Sequence, residues 1–149
     1  MVRPVLLLGT GLTMVDVVLT LGAAGHRGPL VALSRHGLSP RAHGVLHSPA
    51  IELELAPPTG LSALTRSIRR AARHAEAEGE ETDWRSVVDA VRSGAQELWQ
   101  RFSPDERQRF LRHLRPFWDA HCHRIPPAVA NRIEALRASG QLRVEARRA

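Results

Sequence analysis

The sequence contains no lysine and no tyrosine, and Cys122 is its one cysteine, so all 21 basic residues are arginine. A lone cysteine excludes a disulfide within the chain and is typical of a reducing compartment, so we expect a cytoplasmic protein. Long apolar runs are also missing. Two glycines and Asp16 interrupt the apolar N-terminal stretch, which disfavours both a secretory signal and a membrane span of about 20 residues.

The charge balance is strongly basic, with a formal net charge of +6 and a pI near 11.4. Such a balance ordinarily favours a nucleic-acid partner. Arginine without lysine, together with 10 prolines and abundant alanine, is instead typical of a GC-rich coding bias. The arginines are also spread over several predicted helices and interleaved with acidic residues, so nucleic-acid binding is the least favoured of the alternatives.

The first 36 residues predict a βαβ unit. An apolar run over residues 3–8 predicts a parallel strand buried on both faces. Apolar residues then recur at helical spacing from Leu12, and Gly25 suits a C-terminal cap. A second apolar run over residues 29–33 completes the unit.

A helical insertion is predicted over residues 59–139, after irregular chain with one short extended piece at 51–55. Thr59 can cap its first helix, and an apolar stripe over residues 84–102 predicts one long helix.

Three further features complete the predicted insertion and the strand after it. Ser103 and Glu106 have capping-box spacing, and Phe110, Leu111 and Leu114 are expected to face the core until Pro116. A last helix should stop at Gly140, before a third strand over 141–147.

These elements predict one α/β domain, a partial Rossmann-like βαβ unit with a parallel sheet and a largely helical insertion between the second and third strands. The chain is expected to be incomplete, because its last strand has no successor. An unfinished parallel sheet has an open edge, which favours self-association.

The chemistry-bearing motif is Gly9-Thr10-Gly11-Leu12-Thr13-Met14, between the first strand and its helix. Gly9 permits a tight turn, Gly11 lets backbone amides approach a pyrophosphate, and the helix N-terminus adds a positive dipole. Met14 departs from the pattern, which has glycine or alanine there. We therefore predict a dinucleotide site formed by Gly9, Thr10, Gly11, Leu12 and Thr13.

At the end of the second strand, Ser34 and Arg35 stand where NAD-selective folds place an acidic residue for the ribose 2′-hydroxyl. No Asp or Glu follows until Glu52. A guanidinium suits a 2′-phosphate, so the sequence favours NADP over NAD, with Ser34 and Arg35 in the site.

A metal site is not predicted, although His121, Cys122 and His123 are all potential ligands. His121 and Cys122 are adjacent, and no second pair stands at zinc-finger spacing. No catalytic acid, base or nucleophile is assigned to any residue.

Several separate blocks carry a family resemblance. They are the glycine motif continued through Val15 and Asp16, Ala32-Leu33-Ser34-Arg35-His36-Gly37-Leu38, Pro40-Arg41-Ala42-His43, and Phe117-Trp118-Asp119-Ala120-His121-Cys122-His123-Arg124. With them the chain resembles bacterial FAD/NAD(P)-binding flavoproteins, relatives of two-dinucleotide-domain oxidoreductases. The resemblance covers most of the chain and implies its NAD(P)-binding middle segment, which would pass hydride from NAD(P)H to FAD. The family's flavin-binding glycine fingerprint is absent from this chain.

Three hypotheses stay open from the sequence. The first is a nicotinamide-binding segment of an FAD-dependent oxidoreductase, and the second is a non-catalytic nucleotide-binding or regulatory module. The third is a basic nucleic-acid-binding protein. The expected partners are a dinucleotide, the rest of a flavoprotein or a second copy of the chain, and no membrane.

Overall fold

The computed structural model describes residues 3–44, 60–78 and 83–147. The chain divides into a sheet unit, Met1–His43 with His123–Ala149, and a helical unit, Gly44–Cys122. The described elements follow the order β1 (Val5–Leu8), α1 (Leu12–Ala23), β2 (Leu30–Ser34), α2 (Leu61–Glu78), α3 (Trp84–Ser93), α4 (Ala95–Arg101), α5 (Pro104–Arg109), a π-helix (Phe110–Leu114), α6 (Arg115–Cys122), α7 (Pro127–Ala138) and β3 (Leu142–Ala146).

The described strands form one parallel sheet in the order β1-β2-β3. Val5 pairs with Leu30, and Leu30 pairs with Leu142, so the three strands run in step from the same end. A largely helical segment separates β2 from β3 along the chain. The predicted α/β fold, a partial Rossmann-like unit with a helical insertion between the second and third strands, is confirmed.

One face of the sheet carries the core of this unit. Leu30, Ala32 and Leu142 are buried there against Met14, Val15 and Val18 of α1 and Ile133 of α7. Val18 is 0% exposed and Leu142 is 1% exposed. Burial of such side chains is the main stabilising contribution to the unit.

The other face of β1 is exposed, which corrects the prediction of a strand buried on both sides. Leu6 is 60% exposed and Leu8 is 78% exposed. In a strand, successive side chains point to opposite faces, and the core that includes α1 and α7 takes up only Val5 and Leu7 from β1. An unbroken apolar run therefore did not distinguish one covered face from two.

Helix α1 ends as the sequence predicted. Gly25 has φ +81°, and its N–H donates to the Gly22 carbonyl oxygen at 3.1 Å. The N–H of His26 donates to the Leu21 carbonyl oxygen at 2.9 Å, which completes a Schellman cap.

Helix α7 belongs to the sheet unit, whereas the sequence-based boundary of the insertion at residue 139 included it. Ile133 is buried in the sheet core, with Val129 and Leu136 packed against it. Just before α7, Ile125 forms an isolated parallel bridge with Ala42. Its N–H donates to the Arg41 carbonyl oxygen and its carbonyl oxygen accepts from the His43 N–H, both at 2.9 Å.

The helical unit has its own core of Leu64, Val91 and Leu98, with Ile68, Phe102 and Trp118 packed around it. The predicted long helix over 84–102 is wrong in one respect. Gly94 adopts φ −95° and ψ 5°, which separates α3 from α4. Glycine inside a helix is unfavourable because it lacks a side chain to restrict its backbone. The apolar stripe continues across the break, so the stripe alone did not indicate that the helix ends at Gly94.

A π-helical turn over Phe110–Leu114 explains why Leu111, which was predicted to face the core, is exposed. The N–H of Arg115 donates to the Phe110 carbonyl oxygen, five residues back. Pro116 has no N–H and its ring crowds the carbonyl four residues earlier, and the wider turn relieves both problems. The extra residue changes the helical phase, so Leu111 is 47% exposed and not, as predicted, in the core.

The capping box is confirmed, and Glu106 has a further role. Its Oε2 accepts from the Ser103 N–H at 3.0 Å, while its Oε1 accepts from the Leu61 N–H at 2.8 Å. One carboxylate thus caps both α5 and α2. These contacts lower the pKa of Glu106, first through the Ser103 amide and then through the Leu61 amide. The predicted Thr59 cap and the extended piece at 51–55 lie outside the described residues.

Helix α2 departs from the predicted pattern of arginines spread over several helices and interleaved with acidic residues. Arg66, Arg69, Arg70 and Arg73 stand at positions i, i+3, i+4 and i+7 of this helix, and all four are exposed. Such positions share one helical face. Helix α2 therefore carries an arginine stripe.

Candidate dinucleotide site

The turn between β1 and α1 is built on two glycines with different backbone conformations. Gly9 has φ +108°, which side chains rarely tolerate, and its N–H donates to the Leu33 carbonyl oxygen at 2.8 Å. Gly11 is the N-cap of α1, with φ −82° and ψ −161°. A Cβ added at either position would meet nothing within 4 Å. The turn therefore leaves its outer side open to an approaching group.

The amide groups at the start of α1 face this open space. Gly11, Leu12 and Thr13 are exposed, and none of their backbone N–H groups donates a hydrogen bond to a residue within the described ranges. No side chain caps the helix, and its first turn holds no acidic residue. Unpaired amides and the positive end of the helix dipole together attract an anion.

Met14 occupies the third glycine position of the motif, and its side chain is part of the sheet core. Met14 is 4% exposed and packs in the sheet core. Glycine at this position lets a helix approach a strand closely. Here a flexible thioether side chain occupies the space between α1 and the sheet.

Thr10 and Ser34 join the two strand ends. The Thr10 side chain is 5% exposed, and its Oγ1 lies 2.9 Å from Ser34 Oγ and donates to the Leu38 carbonyl oxygen. Ser34 Oγ also accepts from the Gly37 N–H at 3.0 Å. These hydroxyls hold the glycine turn beside the segment that follows β2. The structure thus brings the predicted site residues together at the carboxyl ends of β1 and β2.

Arg35 also lies at the carboxyl ends of these strands. Leu8 pairs with Leu33, so the residues that follow them, Gly9 and Ser34, are neighbours at the carboxyl ends of β1 and β2. Ligands of open α/β sheets bind outside these carboxyl ends. The Arg35 side chain is exposed and has no hydrogen bond or ion pair with any residue that the structure describes. Its guanidinium is available to a ligand phosphate.

Two residues near the carboxyl ends of the strands, Gly37 and Arg147, were not predicted from the sequence. Gly37, with φ +61°, lies so close to Ala146 at the end of β3 that an added Cβ would be 3.2 Å from the Ala146 Cβ. The N–H of Arg147 donates to the Ser34 carbonyl oxygen at 2.9 Å, and its side chain pairs with Glu145 at 3.0 Å. The pairing of β3 with β2 brings these residues together across more than a hundred residues of chain, a separation that local patterns do not register.

The sheet unit is strongly basic. By its bounds it contains ten arginines against three acidic residues, a formal net charge of +7. Net positive charge raises the local concentration of anionic ligands. The electrostatics of this unit therefore favour a pyrophosphate or a phosphate.

The residues considered for a metal have other surroundings. The His121 and Trp84 rings pack edge to face, with their centroids 4.9 Å apart. Nδ1 of His121 lies 2.7 Å from the Phe117 carbonyl oxygen. Cys122 is buried. Among the residues in the described ranges, no three His, Cys, Asp or Glu side chains are grouped so that they could hold a metal ion.

No helix in the described part of the chain is both long and apolar enough to cross a membrane. Comparisons with protein-family models, curated proteins and solved structures returned no match.

Proposed function

We propose that the chain binds a nicotinamide dinucleotide, NADP in preference to NAD, with its pyrophosphate at the β1–α1 turn. The observation that carries the proposal is the exposed row of unbonded amides at Gly11, Leu12 and Thr13, above a glycine turn with free space around it. The positive end of α1 adds to this attraction for a doubly charged anion.

The preference for NADP depends on Arg35. A dinucleotide with its pyrophosphate at the turn directs its adenosine ribose toward the end of β2. There the exposed Arg35 offers a planar pair of donors to a 2′-phosphate. Ser34 and Thr10 support the geometry, because their hydroxyls hold the two strand ends together.

The resemblance to FAD/NAD(P)-binding flavoproteins supports a role for the bound nucleotide as hydride donor to FAD, bound by another part of a larger oxidoreductase. The flavin would supply the redox chemistry, and this chain would bind and orient the nicotinamide cofactor. A non-catalytic nucleotide-binding module is the alternative, since it needs the same turn but no flavin. We also place the protein in the reducing cytoplasm, because a chain with a single cysteine cannot form an internal disulfide.

Association with a further polypeptide, either the rest of a flavoprotein or a second copy, accompanies this proposal. Among the strands that the structure describes, β1 lies at the edge of the sheet, and it exposes Leu6 and Leu8 on one face. Open strand edges and exposed apolar side chains both favour association.

The test is a thermal melt of the full chain with NADPH, with NADH and with neither. At ~100 times the dissociation constant, binding stabilises the folded state by about 2.7 kcal/mol, a shift of roughly 5–10 °C for a chain of this size. When the two nucleotides are compared at the same concentration, the shift should be larger with NADPH. Arg35→Ser should reduce the NADPH shift to that of NADH and leave the NADH shift unchanged.

Arg27→Ser is the matched control. It removes the same charge from an exposed arginine that precedes β2, at the opposite end of the strand. An equal loss in both variants would attribute the NADPH preference to net charge and remove Arg35 from the site. A cooperative melt that neither nucleotide shifts would refute dinucleotide binding.

A further inference from the structure

The arginine stripe of α2 is an unpaired, concentrated positive surface. Arg66, Arg69, Arg70 and Arg73 are exposed, and none of them has a hydrogen bond or ion pair with a residue in the described ranges. At a rise of 1.5 Å per residue, the stripe covers about 10 Å of helix. Four guanidinium groups therefore project from one short length of rigid backbone.

The stripe continues beyond the N-terminal end of this row. Ser62 is one turn before Arg66, and its Oγ accepts from Arg109 Nη2 at 3.3 Å. Arg109, at the end of α5, is also exposed. Ser62 thus places a fifth guanidinium in line with the stripe and extends it to about 16 Å.

Packing fixes the orientation of this surface. Leu61, Leu64 and Ala75 on the opposite side of α2 are buried, and Leu64 belongs to the core of the helical unit. The exposed residues of α2 that the structure describes include no apolar side chain larger than alanine. The helix cannot present an apolar face to a partner without leaving its core.

The charge pattern works against the helix itself. Arg66 with Arg70, and Arg69 with Arg73, are like charges at i, i+4, which destabilises a helix. The four arginines lie in the middle of α2, between its sixth and thirteenth of 18 residues, and Glu76 follows them. At these positions the arginines gain nothing from the helix dipole, whose effect is confined to the first and last turns. Helix stability therefore does not explain the stripe.

We propose that the α2 stripe binds the phosphate backbone of double-stranded nucleic acid, without reading its sequence. Duplex DNA carries one negative charge per about 1.7 Å of axis, so five arginines over about 16 Å meet ample phosphate. Guanidinium groups bind phosphate oxygens in a bidentate manner. Exposed Ser62 and Ser67 add hydroxyl donors on the same helix.

Two other polyanions fit the surface less well. Single strands bind mainly through stacking on aromatic side chains, and α2 contains no Phe, Tyr or Trp. Interfacial membrane helices insert an apolar face into the lipid, and the apolar face of α2 is already buried. A rigid duplex needs only the charged row that the helix presents.

The test measures binding of the full chain to a fluorescein-labelled 25-base-pair DNA duplex by anisotropy, from 50 to 200 mM NaCl. Five phosphate contacts predict a log–log salt slope of roughly −4.5, so affinity should fall about five-hundredfold over this range. The variant Arg66→Gln/Arg69→Gln/Arg70→Gln/Arg73→Gln should lose most of the slope. Glutamine matches arginine in helix propensity, so α2 should remain folded.

The matched control is Arg92→Gln/Arg101→Gln/Arg115→Gln/Arg137→Gln, which removes the same charge from exposed arginines outside α2. It should keep a slope close to that of the unmodified chain. Equal losses in the two variants would overturn the proposal, because net charge alone would then explain binding. Should the fourfold variant fail to fold, Arg66→Gln/Arg70→Gln should reduce the slope by roughly 1.8. Binding to phosphatidylserine vesicles but not to the duplex would assign the stripe to a membrane and refute the proposal.

Discussion

Gly9 and Gly11 are two residues apart in the same turn and have equally open surroundings, yet alanine should destabilise the fold at Gly9 and leave its stability almost unchanged at Gly11. Gly9 has φ +108°, whereas Gly11 has φ −82°. Since an added Cβ meets nothing within 4 Å at either residue, steric contact with neighbours does not contribute. Any difference in stability between the two variants must come from the backbone.

For Gly9→Ala, forcing a side chain into the positive-φ region should lower the free energy of unfolding by about 1–3 kcal/mol. For Gly11→Ala, two small effects oppose one another. Alanine restricts the unfolded chain, which stabilises by about 0.4–1 kcal/mol, but it is a poorer N-cap than glycine by a similar amount. The stability of Gly11→Ala should therefore stay within about 0.5 kcal/mol of the unmodified chain.

Nucleotide binding should be lost in Gly11→Ala although the stability of this variant is unchanged. The added methyl group would occupy the open space beside the free amides, where the pyrophosphate is proposed to bind. Urea denaturation without nucleotide measures the stability of each variant, and the NADPH-induced melting shift measures binding. We expect Gly11→Ala to be as stable as the unmodified chain and to lose the NADPH shift. A Gly11→Ala variant that keeps the full shift would refute the placement of the pyrophosphate at this turn.

Two further predictions concern stability. Leu142→Ala, at a site 1% exposed in the sheet core, should lower the free energy of unfolding by about 2–5 kcal/mol, whereas Leu111→Ala, at a 47% exposed site, should change it by less than about 1 kcal/mol. Equal urea midpoints for the two variants would contradict the described core. Glu106 has a pKa below its ordinary value of 4.5, so the stability it contributes is present above that pH and is lost as pH falls through the folded-state pKa. The unmodified chain should accordingly be more stable than Glu106→Gln at pH 7, with the difference shrinking toward pH 3 in urea titrations; a difference independent of pH would show that the carboxylate charge is not what caps α2 and α5.

The parts of the fold that the sequence predicted are those with a local physical cause. Glycine at Gly25 ends α1 because the cap needs a positive φ, and the Ser103–Glu106 spacing starts α5 because side chains three apart can exchange hydrogen bonds. The exposed face of β1 was not predictable, since whether a helix covers Leu6 and Leu8 depends on where distant segments pack.

The candidate site shows the same division. The glycine turn could be read from Gly9 and Gly11, because its strand and helix are contiguous with it. The sequence could not show that the Thr10 hydroxyl turns inward to Leu38, because that contact depends on the path of the chain after β2. The arginine stripe was missed for another reason: it becomes a single surface only once α2 is known to run unbroken through Arg66 and Arg73.

The bridge between Ala42 and Ile125 bears on the order in which the chain folds. β3 pairs with β2 across about a hundred intervening residues, and closing such a long loop is entropically unfavourable. Once the helical unit has formed and the 42–125 bridge holds its two ends together, the loop that β3 must close contains only about 25 residues. Loop-closure entropy then opposes the pairing by about 1 kcal/mol less. A chain in which the 42–125 bridge is already closed therefore loses less conformational entropy when β3 pairs with β2 than a chain in which the bridge is open.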